Sequence, residues 1–236
     1  MNERREEEQK RQAMEKFSEL YDVVKALRAE DGCPWDRAQT HSTLKPFLIE
    51  EAYETVDAVS TLEKGEGTAA LVEELGDLLF QVMLHSEIGR QEETFTLADV
   101  EEGISRKMIH RHPHVFPDAE GRRQKKDWDA LKKEEKAPET PQEEMEHIPH
   151  CFPALLRTQK IQKKIQKYDG TGADFRKSVR RAMELLEHAR GSMTAEVGGE
   201  LLYEVCNLLR LSGVNSEQSL KDTLEIKLAQ RAREKS

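Results

Sequence analysis

Two acidic clusters lie inside apolar stretches of helical period, and they constrain the fold of this chain more than any other feature. The first cluster is Glu50, Glu51 and Glu54, and the second is Glu74 and Asp77. Carboxylates three residues apart project from one face of a helix, about one turn apart. The apolar residues around them recur at helical spacing, at Leu44, Phe47, Leu48, Ala58, Val59 and Leu62, and then at Leu71, Leu75, Leu78, Leu79 and Val82. The pattern predicts two neighbouring helices with acidic groups beside core-facing stripes.

Carboxylates beside a core raise the free energy of folding unless something neutralises them. Four of them from two adjacent helices would repel one another unless a hard cation lay between them, and oxygen ligands suit Mg²⁺ or Mn²⁺. The alternative is a solvated helix face, because the chain is 35% charged and glutamate is a good helix former. Spacing alone does not separate the two interpretations.

Composition limits the class of protein. The chain has 236 residues and a formal net charge of −9, which disfavours nucleic acid as a partner. The sequence has no apolar stretch of about 20 residues, the length that a membrane span needs, and the first residues lack the apolar region of a signal peptide. Its three cysteines are far apart and are interpreted as reduced thiols. We therefore expect a cytoplasmic protein with no membrane partner.

Helical periodicity and turn residues predict an all-α chain. A frayed lead-in precedes the first helix, and residues 118–149 are predicted to be a linker between an N-terminal domain at 17–117 and a C-terminal domain at 150–236. The predicted helices cover 17–29, 44–64, 68–90, 96–111, 128–136, 154–167, 177–190, 195–211 and 216–236.

The second half repeats the first in degraded form. The run Gly76-Asp77-Leu78-Leu79-Phe80 matches Gly199-Glu200-Leu201-Leu202-Tyr203, and Lys107 and Arg111 match Lys227 and Arg231. Glu184 and Glu187 repeat the first acidic pair, but Met183 stands at the position of Glu50 and Val197 at that of Glu74. A site that has lost acids in this way should bind a metal ion poorly.

Together these motifs resemble the MazG family of all-α nucleoside triphosphate pyrophosphohydrolases, and the resemblance covers residues 17–236. The acidic pattern E-E-x-x-E followed by E-x-x-D is moderately specific, whereas the ordered set of segments is highly specific. The other matching segments are GCPWD at 32–36, QTH at 39–41, GDLLFQV at 76–82, RHPHVF at 111–116, PAL at 153–155 and QKIQ at 159–162.

The resemblance implies a helical bundle of two tandem MazG-like domains that hydrolyses nucleoside triphosphates to monophosphates and pyrophosphate with Mg²⁺, or with Mn²⁺ in its place. The implied metal ligands are Glu51, Glu54, Glu74 and Asp77. Glu50 and Glu51 are the implied catalytic residues, at a site where a metal-bound water attacks the α-phosphorus. Glu50 would orient or deprotonate that water, and its alternative is a solvent-facing helix residue.

The resemblance also implies a substrate-binding set. Lys107 and Arg111 would hold the phosphates, or else form surface ion pairs. Trp128, with Lys132 one turn later, would stack on the base, or else anchor a short helix. Trp35 packs the bundle or lines the base pocket, with packing favoured.

The histidines of the matching segments, His41, His112 and His114, are expected to be structural, because a hard cation prefers oxygen ligands. A homodimer is expected, and the second half is expected to be catalytically silent and to serve assembly or regulation. Two alternatives remain for the function. One is a non-catalytic nucleotide-sensing or oligomerisation module, and the other is a related pyrophosphohydrolase of narrower substrate range.

Overall fold

The computed structural model describes residues 2–117, 120–123, 131, 135 and 140–234, and within them every regular element is a helix. This confirms the all-α class. The chain forms two compact units, Met1–Leu131 and Lys132–Ser236. The division falls inside the predicted linker, and the assignment of the two units as tandem domains remains a prediction. Among the described residues, none of the helices combines the length and the apolar composition that crossing a membrane requires.

The described part of the first unit contains α1 (Asn2–Leu27), α2 (Pro34–Ala38), α3 (Lys45–Glu63), α4 (Ala69–Gln91) and α5 (Leu97–Arg111). The predicted lead-in and the first predicted helix are one continuous helix, α1. Ion pairs one turn apart, such as Glu8 with Arg11 at 2.7 Å, support its solvated first half. The sequence did not predict α2, because five residues are too short to establish a period.

Three helices of this unit pack against α4. Fully buried side chains of α1, of the residue that precedes α3 and of the second half of α4 pack together. They form one cluster that consists of Val24, Leu44, Met83, Leu84 and Ile88. Aromatic and leucine side chains of α1, α3, α4 and α5 cover this cluster. The first unit therefore has one hydrophobic core, close to the residue where α3 begins.

A buried arginine fastens the segment before α3 to the end of α4. The Arg28 guanidinium donates from Nε and Nη2 to the side-chain oxygen of Gln91, at 3.1 and 2.9 Å. Its Nη1 donates to the carbonyl oxygen of Gln39 at 3.1 Å and also to that of Asp36. Arg28 is 8% exposed, and burial lowers its pKa. These bonds hold the loop between α2 and α3 in place and so help to fix where α3 begins.

The helices α3 and α4 form a hairpin with an extensive contact between them. Gly65 and Gly67 end α3 with backbone φ angles of 82° and 96°, which glycine adopts at little cost. The predicted core-facing stripe of α4 is only partly buried, because Leu75, Leu79 and Val82 are exposed within one chain. The helical period of these residues is as predicted, but the period did not indicate how far each side chain is buried.

The described part of the second unit contains α6 (Pro141–Glu146), α7 (Ala154–Asp169), α8 (Phe175–His188), α9 (Ala195–Leu211) and α10 (Ser216–Arg233). The predicted helix at 195–211 has the observed bounds. The short helix α6 lies inside the predicted linker and packs against α7. Its Glu144 accepts hydrogen bonds from Lys164 and Tyr168, which lower the Glu144 pKa to about 2.

Leu44 provides a direct test of this core. Replacing Leu44 with alanine should lower the free energy of unfolding by about 2–5 kcal/mol, because the side chain is fully buried and leaves a cavity. Chemical denaturation measures the change. The control is Met14→Ala on α1, where the side chain is 65% exposed and the expected change is within about 0.5 kcal/mol. Equal effects of the two substitutions would contradict this description of the core.

Candidate metal centre

The α3–α4 hairpin brings three carboxylates together. Glu51 and Glu54 lie one turn apart on α3, and Glu74 faces them from α4. One carboxylate oxygen from each of the three lies within 4.8 Å of the others. Glu51 and Glu74 are half-buried, while Glu54 is exposed. A set of hard, anionic oxygen donors at this separation fits Mg²⁺ or Mn²⁺.

The electrostatics of the cluster also fit a cation. Partial burial raises the pKa of Glu51, followed by the charges of Asp77, Glu54, Glu74 and Glu50. Partial burial likewise raises the pKa of Glu74, followed by the charges of Glu54, Asp77 and Glu73. All of these neighbouring charges are negative. The carboxylates therefore repel one another, and a bound cation would relieve that repulsion.

Thr55 links the two helices at the level of the cluster. Its hydroxyl donates to the backbone carbonyl of Glu51 at 2.7 Å and lies 3.4 Å from the backbone carbonyl of Glu74. The sequence pattern did not predict a role for this residue. The available signal was a hydroxyl four residues after Glu51, on the same helix face, but such a hydroxyl also occurs in ordinary helices.

Comparison with known proteins identifies the family. Residues 39–116 match the MazG nucleotide pyrophosphohydrolase domain, a range that includes both acidic clusters. The chain is 37% identical over 209 residues to the nucleoside triphosphate pyrophosphohydrolase/pyrophosphatase MazG of Thermotoga maritima, an alignment that covers 87% of this chain and 80% of that protein. It is 35% identical over 234 residues to the nucleoside triphosphate pyrophosphohydrolase of Escherichia coli K12, covering 94% of this chain and 87% of that one. This chain belongs to the MazG family.

The family assignment confirms the resemblance that the sequence motifs indicated. The matched domain spans α3, α4 and α5 and ends within the first unit. The Escherichia coli relative aligns with nearly the whole chain, so the similarity extends into the second unit. The family match places the carboxylate cluster inside the MazG domain.

The remaining predicted acids lie beside the cluster. Asp77 is exposed one turn beyond Glu74 on α4, and it is not among the three carboxylates that lie within 4.8 Å of one another. Its charge nevertheless raises the pKa of Glu51 and of Glu74. Glu50 is exposed next to Glu51. The four-acid ligand set and the catalytic role of Glu50 remain predictions.

The predicted substrate-binding residues are distributed over two regions. Lys107 and Arg111 lie one turn apart at the end of α5, which packs against α4. Lys107 is exposed and Arg111 is half-buried. Trp128 and Lys132 lie outside the described residues, as does the predicted helix at 128–136 apart from Leu131 and Glu135. The role of all four residues in substrate binding remains a prediction.

The histidines and Trp35 make contacts within the protein. His41 Nδ1 lies 2.7 Å from His85 Nδ1 in a hydrogen bond, and His112 Nδ1 donates to the carbonyl of Met108 at 2.6 Å. His114 contacts the His112 ring, with ring centres 5.6 Å apart. Trp35 packs edge-on against Phe47 at 5.8 Å and remains 53% exposed.

The stability of the metal-free protein should depend on pH, because the pKa values of Glu51 and Glu74 are raised in the folded chain. Folding raises the pKa of Glu51 and Glu74, so the folded chain holds more protons than the unfolded chain near those pKa values. The free energy of unfolding of the metal-free protein should therefore fall as pH rises through them. Near neutral pH, Mg²⁺ should raise the melting temperature, and acidification below these pKa values should remove that increase.

The substitution Glu51→Gln tests this repulsion, because it removes one charge from the cluster. Thermal unfolding of the variant is measured in EDTA and in Mg²⁺. In EDTA it should raise the melting temperature by roughly 2 °C, consistent with about 0.5–1 kcal/mol of repulsion removed at a partly exposed site. It should also weaken the stabilisation by Mg²⁺. The control is Glu63→Gln, an exposed residue at the end of the same helix. A lower melting temperature for Glu51→Gln in EDTA would contradict the repulsion.

Proposed function

We propose that this chain hydrolyses nucleoside triphosphates to nucleoside monophosphates and pyrophosphate. The observation that carries the proposal is the cluster of Glu51, Glu54 and Glu74, whose oxygens lie within 4.8 Å of one another and repel each other without a cation. Membership of the MazG family supports it, as do the activities for which the relatives from Thermotoga maritima and Escherichia coli are named.

The metal in this proposal is Mg²⁺, with Mn²⁺ as a substitute, and its ligands are Glu51, Glu54, Glu74 and Asp77. When bound, the ion supplies positive charge opposite the triphosphate and lowers the pKa of water at the site. An acidic cluster repels a free triphosphate, so substrate binding at these carboxylates depends on the cation.

Different side chains of this protein would then carry out the separate steps of the reaction. Glu50 accepts a proton from a water molecule whose oxygen forms a bond to the α-phosphorus. The bond from that phosphorus to the oxygen that bridges to the β-phosphate breaks, and pyrophosphate leaves. Lys107 and Arg111 hold the phosphates, with Arg111 suited to a two-point contact. Trp128 stacks on the base and Lys132 contacts the substrate beside it.

The second unit has no catalytic role in this proposal. Met183 and Val197 stand where the first unit has Glu50 and Glu74. Among the described residues of the second unit, no group of three acids comes together as it does in the first. The remaining acids, Glu184, Glu187 and Glu200, do not meet in such a group, and the position that corresponds to Glu74 is the aliphatic Val197.

Two other functions were considered. A non-catalytic nucleotide sensor or oligomerisation module has no need for three carboxylates that repel one another, so the raised pKa values of Glu51 and Glu74 disfavour it. A pyrophosphohydrolase of narrower substrate range would use the same carboxylates, and a panel of nucleoside triphosphates distinguishes it from a broad one.

We also propose that the protein is a homodimer. The α3–α4 hairpin exposes two apolar stripes of helical period. One is Ile49, Tyr53 and Val56 on α3, and the other is Val72, Leu75, Leu79 and Val82 on α4, with Val72 69% exposed. A second copy of the chain would cover these stripes. Each side chain that it removes fully from water would stabilise the dimer by about 1.5–3 kcal/mol.

Hydrolysis should require the acids of the first unit and not those of the second. Glu54→Gln should lower pyrophosphate release with Mg²⁺ by at least about 100-fold, since it removes a charged ligand from the cluster. The matched control is Glu187→Gln, the same change at the equivalent position of the second unit, which should retain activity. EDTA should abolish activity and added Mg²⁺ should restore it. Equal activity of Glu54→Gln and the unaltered protein would refute the proposed site.

The homodimer is tested by light scattering at micromolar concentration. The unaltered protein should have twice the chain mass of 27.1 kDa. Leu75→Glu should reduce it to a single chain, because a charge in a buried apolar interface is strongly unfavourable. Met14→Glu, on the exposed face of α1, is the control. A monomer for the unaltered protein would disprove the proposed assembly.

A further inference from the structure

The half-buried side chain of Thr55 lies between the two helices that carry the candidate metal ligands. Its hydroxyl donates to the backbone carbonyl of Glu51 on α3 at 2.7 Å, and its Oγ1 lies 3.4 Å from the backbone carbonyl of Glu74 on α4. The first contact is common for threonine, because its hydroxyl reaches the carbonyl four residues back in a helix. The second contact is made with the neighbouring helix. One small side chain therefore meets both backbones at residues of the acidic cluster.

The second contact shows that α3 and α4 approach closely at this level. The Thr55 Oγ1 is only two bonds from its own Cα, yet it lies within hydrogen-bonding distance of the α4 backbone. One turn later on the same face of α3 is Ala58, whose small side chain is 6% exposed. The distance between packed helices depends on the side chains at their contact. The separation of the two backbones beside the acids thus depends on the small side chain of Thr55.

The separation of α3 and α4 decides which cations fit the cluster. Glu51 and Glu54 provide oxygens from α3 and Glu74 provides one from α4, all within 4.8 Å of one another. Two oxygens bound to one Mg²⁺ are at most about 4.2 Å apart, twice the Mg–O distance, whereas Ca²⁺ allows about 5 Å and accepts irregular geometry. A wider separation of the two helices would therefore weaken Mg²⁺ binding before it weakens Ca²⁺ binding.

The hydroxyl of Thr55 permits a distance that a methyl group does not. An O–H···O contact is favourable at 2.7 Å, but a carbon atom and a carbonyl oxygen approach one another only to about 3.3 Å. Valine has nearly the shape of threonine, with a methyl group in place of the hydroxyl. A valine methyl group at position 55 could not keep the 2.7 Å distance to the Glu51 carbonyl. The side chain would have to shift between the two backbones, and it would lose its polar contacts with both carbonyls.

The second unit has no such side chain at the equivalent position. The internal repeat pairs α3 with α8, because the acidic pair of α3 recurs as Glu184 and Glu187, and the glycine motifs pair α4 with α9. Thr55 then corresponds to His188, an exposed residue at the last position of α8. The small hydroxyl side chain is thus present in the hairpin where three carboxylates come together, and it is absent where the acids are depleted.

We propose that Thr55 is a positioning residue that sets the separation of the α3 and α4 carboxylates and thereby makes the cluster prefer Mg²⁺ to the larger Ca²⁺. Its hydroxyl keeps the backbones of Glu51 and Glu74 close enough for their side chains to share the smaller ion. Thr55 does not bind the ion itself. This role rests on the proposed function in one respect, because it takes these carboxylates as the metal ligands, but it concerns ion binding without substrate.

Metal binding by the full chain is measured without substrate from the electron paramagnetic resonance signal of free Mn²⁺, in competition with Mg²⁺ or Ca²⁺. Thr55→Val should weaken Mg²⁺ binding at least about 10-fold, as loss of a residue that orients metal ligands does, and Ca²⁺ binding by less than about 3-fold. Thr55→Ser keeps the hydroxyl and should bind both ions as the unaltered protein does. The matched control is Thr61→Val, because the Thr61 hydroxyl donates to the Asp57 carbonyl of its own helix at 3.2 Å. This control should leave the binding of both ions unchanged.

The outcomes separate the role of Thr55 from the proposed metal site. Unchanged Mn²⁺ binding by Glu54→Gln would overturn the site itself, and with it the proposed function. If Glu54→Gln weakens Mn²⁺ binding while Thr55→Val binds Mg²⁺ normally, only the role of Thr55 is overturned. An equal loss of Mg²⁺ and Ca²⁺ binding in Thr55→Val, or the same loss in Thr61→Val or Thr55→Ser, would also overturn that role. A general loss of structure does not discriminate between the two ions, so the change in their ratio is the decisive measurement.

Discussion

The contact between α3 and α4 determines the character of the first unit, because it holds like charges together. Three carboxylate oxygens lie within 4.8 Å of one another across this contact. Partial burial and, after it, repulsion by the neighbouring acids raise the pKa of Glu51 and Glu74. Repulsion of this kind opposes folding, so other interactions must hold the two helices in register. The hydrophobic core contains Leu44, which precedes α3, and Leu84 of α4. Beside the acids, the Thr55 hydroxyl contacts the backbone carbonyls of Glu51 on α3 and Glu74 on α4.

Local sequence signals predicted the long helices well. The bounds of α9 agree with the prediction, and α5 begins where Thr96 and Asp99 form the capping box that the sequence indicated. The short helix α2 escaped prediction because it is too brief to have a period. The buried Arg28 network also escaped prediction, because its partners are backbone carbonyls and a distant glutamine. Such contacts exist only after the tertiary fold has formed.

The candidate site shows the same division between what sequence predicts and what only structure supplies. Spacing within each helix predicted that Glu51 and Glu54 share a face of one helix and that Glu74 and Asp77 share a face of the next, but it carried no information on which acids approach across the hairpin. Helical period likewise identified the apolar stripe of Leu75 and Leu79 without indicating what covers it. A period describes which residues share a face, whereas burial depends on a second surface, in the same chain or in another copy.

The corresponding helix hairpins of the two units differ in their charged residues. In the first, apolar packing at Leu44 and Leu84 supports a cluster of acids whose affinity for anions depends on a cation. In the second, the acids are depleted, and Lys177 and Asn207 replace those two leucines around a cavity. Replacing packed leucines with polar groups removes hydrophobic stabilisation. The hydrogen bonds of Asn207 to Gly172 and Ser178 and of Gln162 to Tyr203 offset part of that loss.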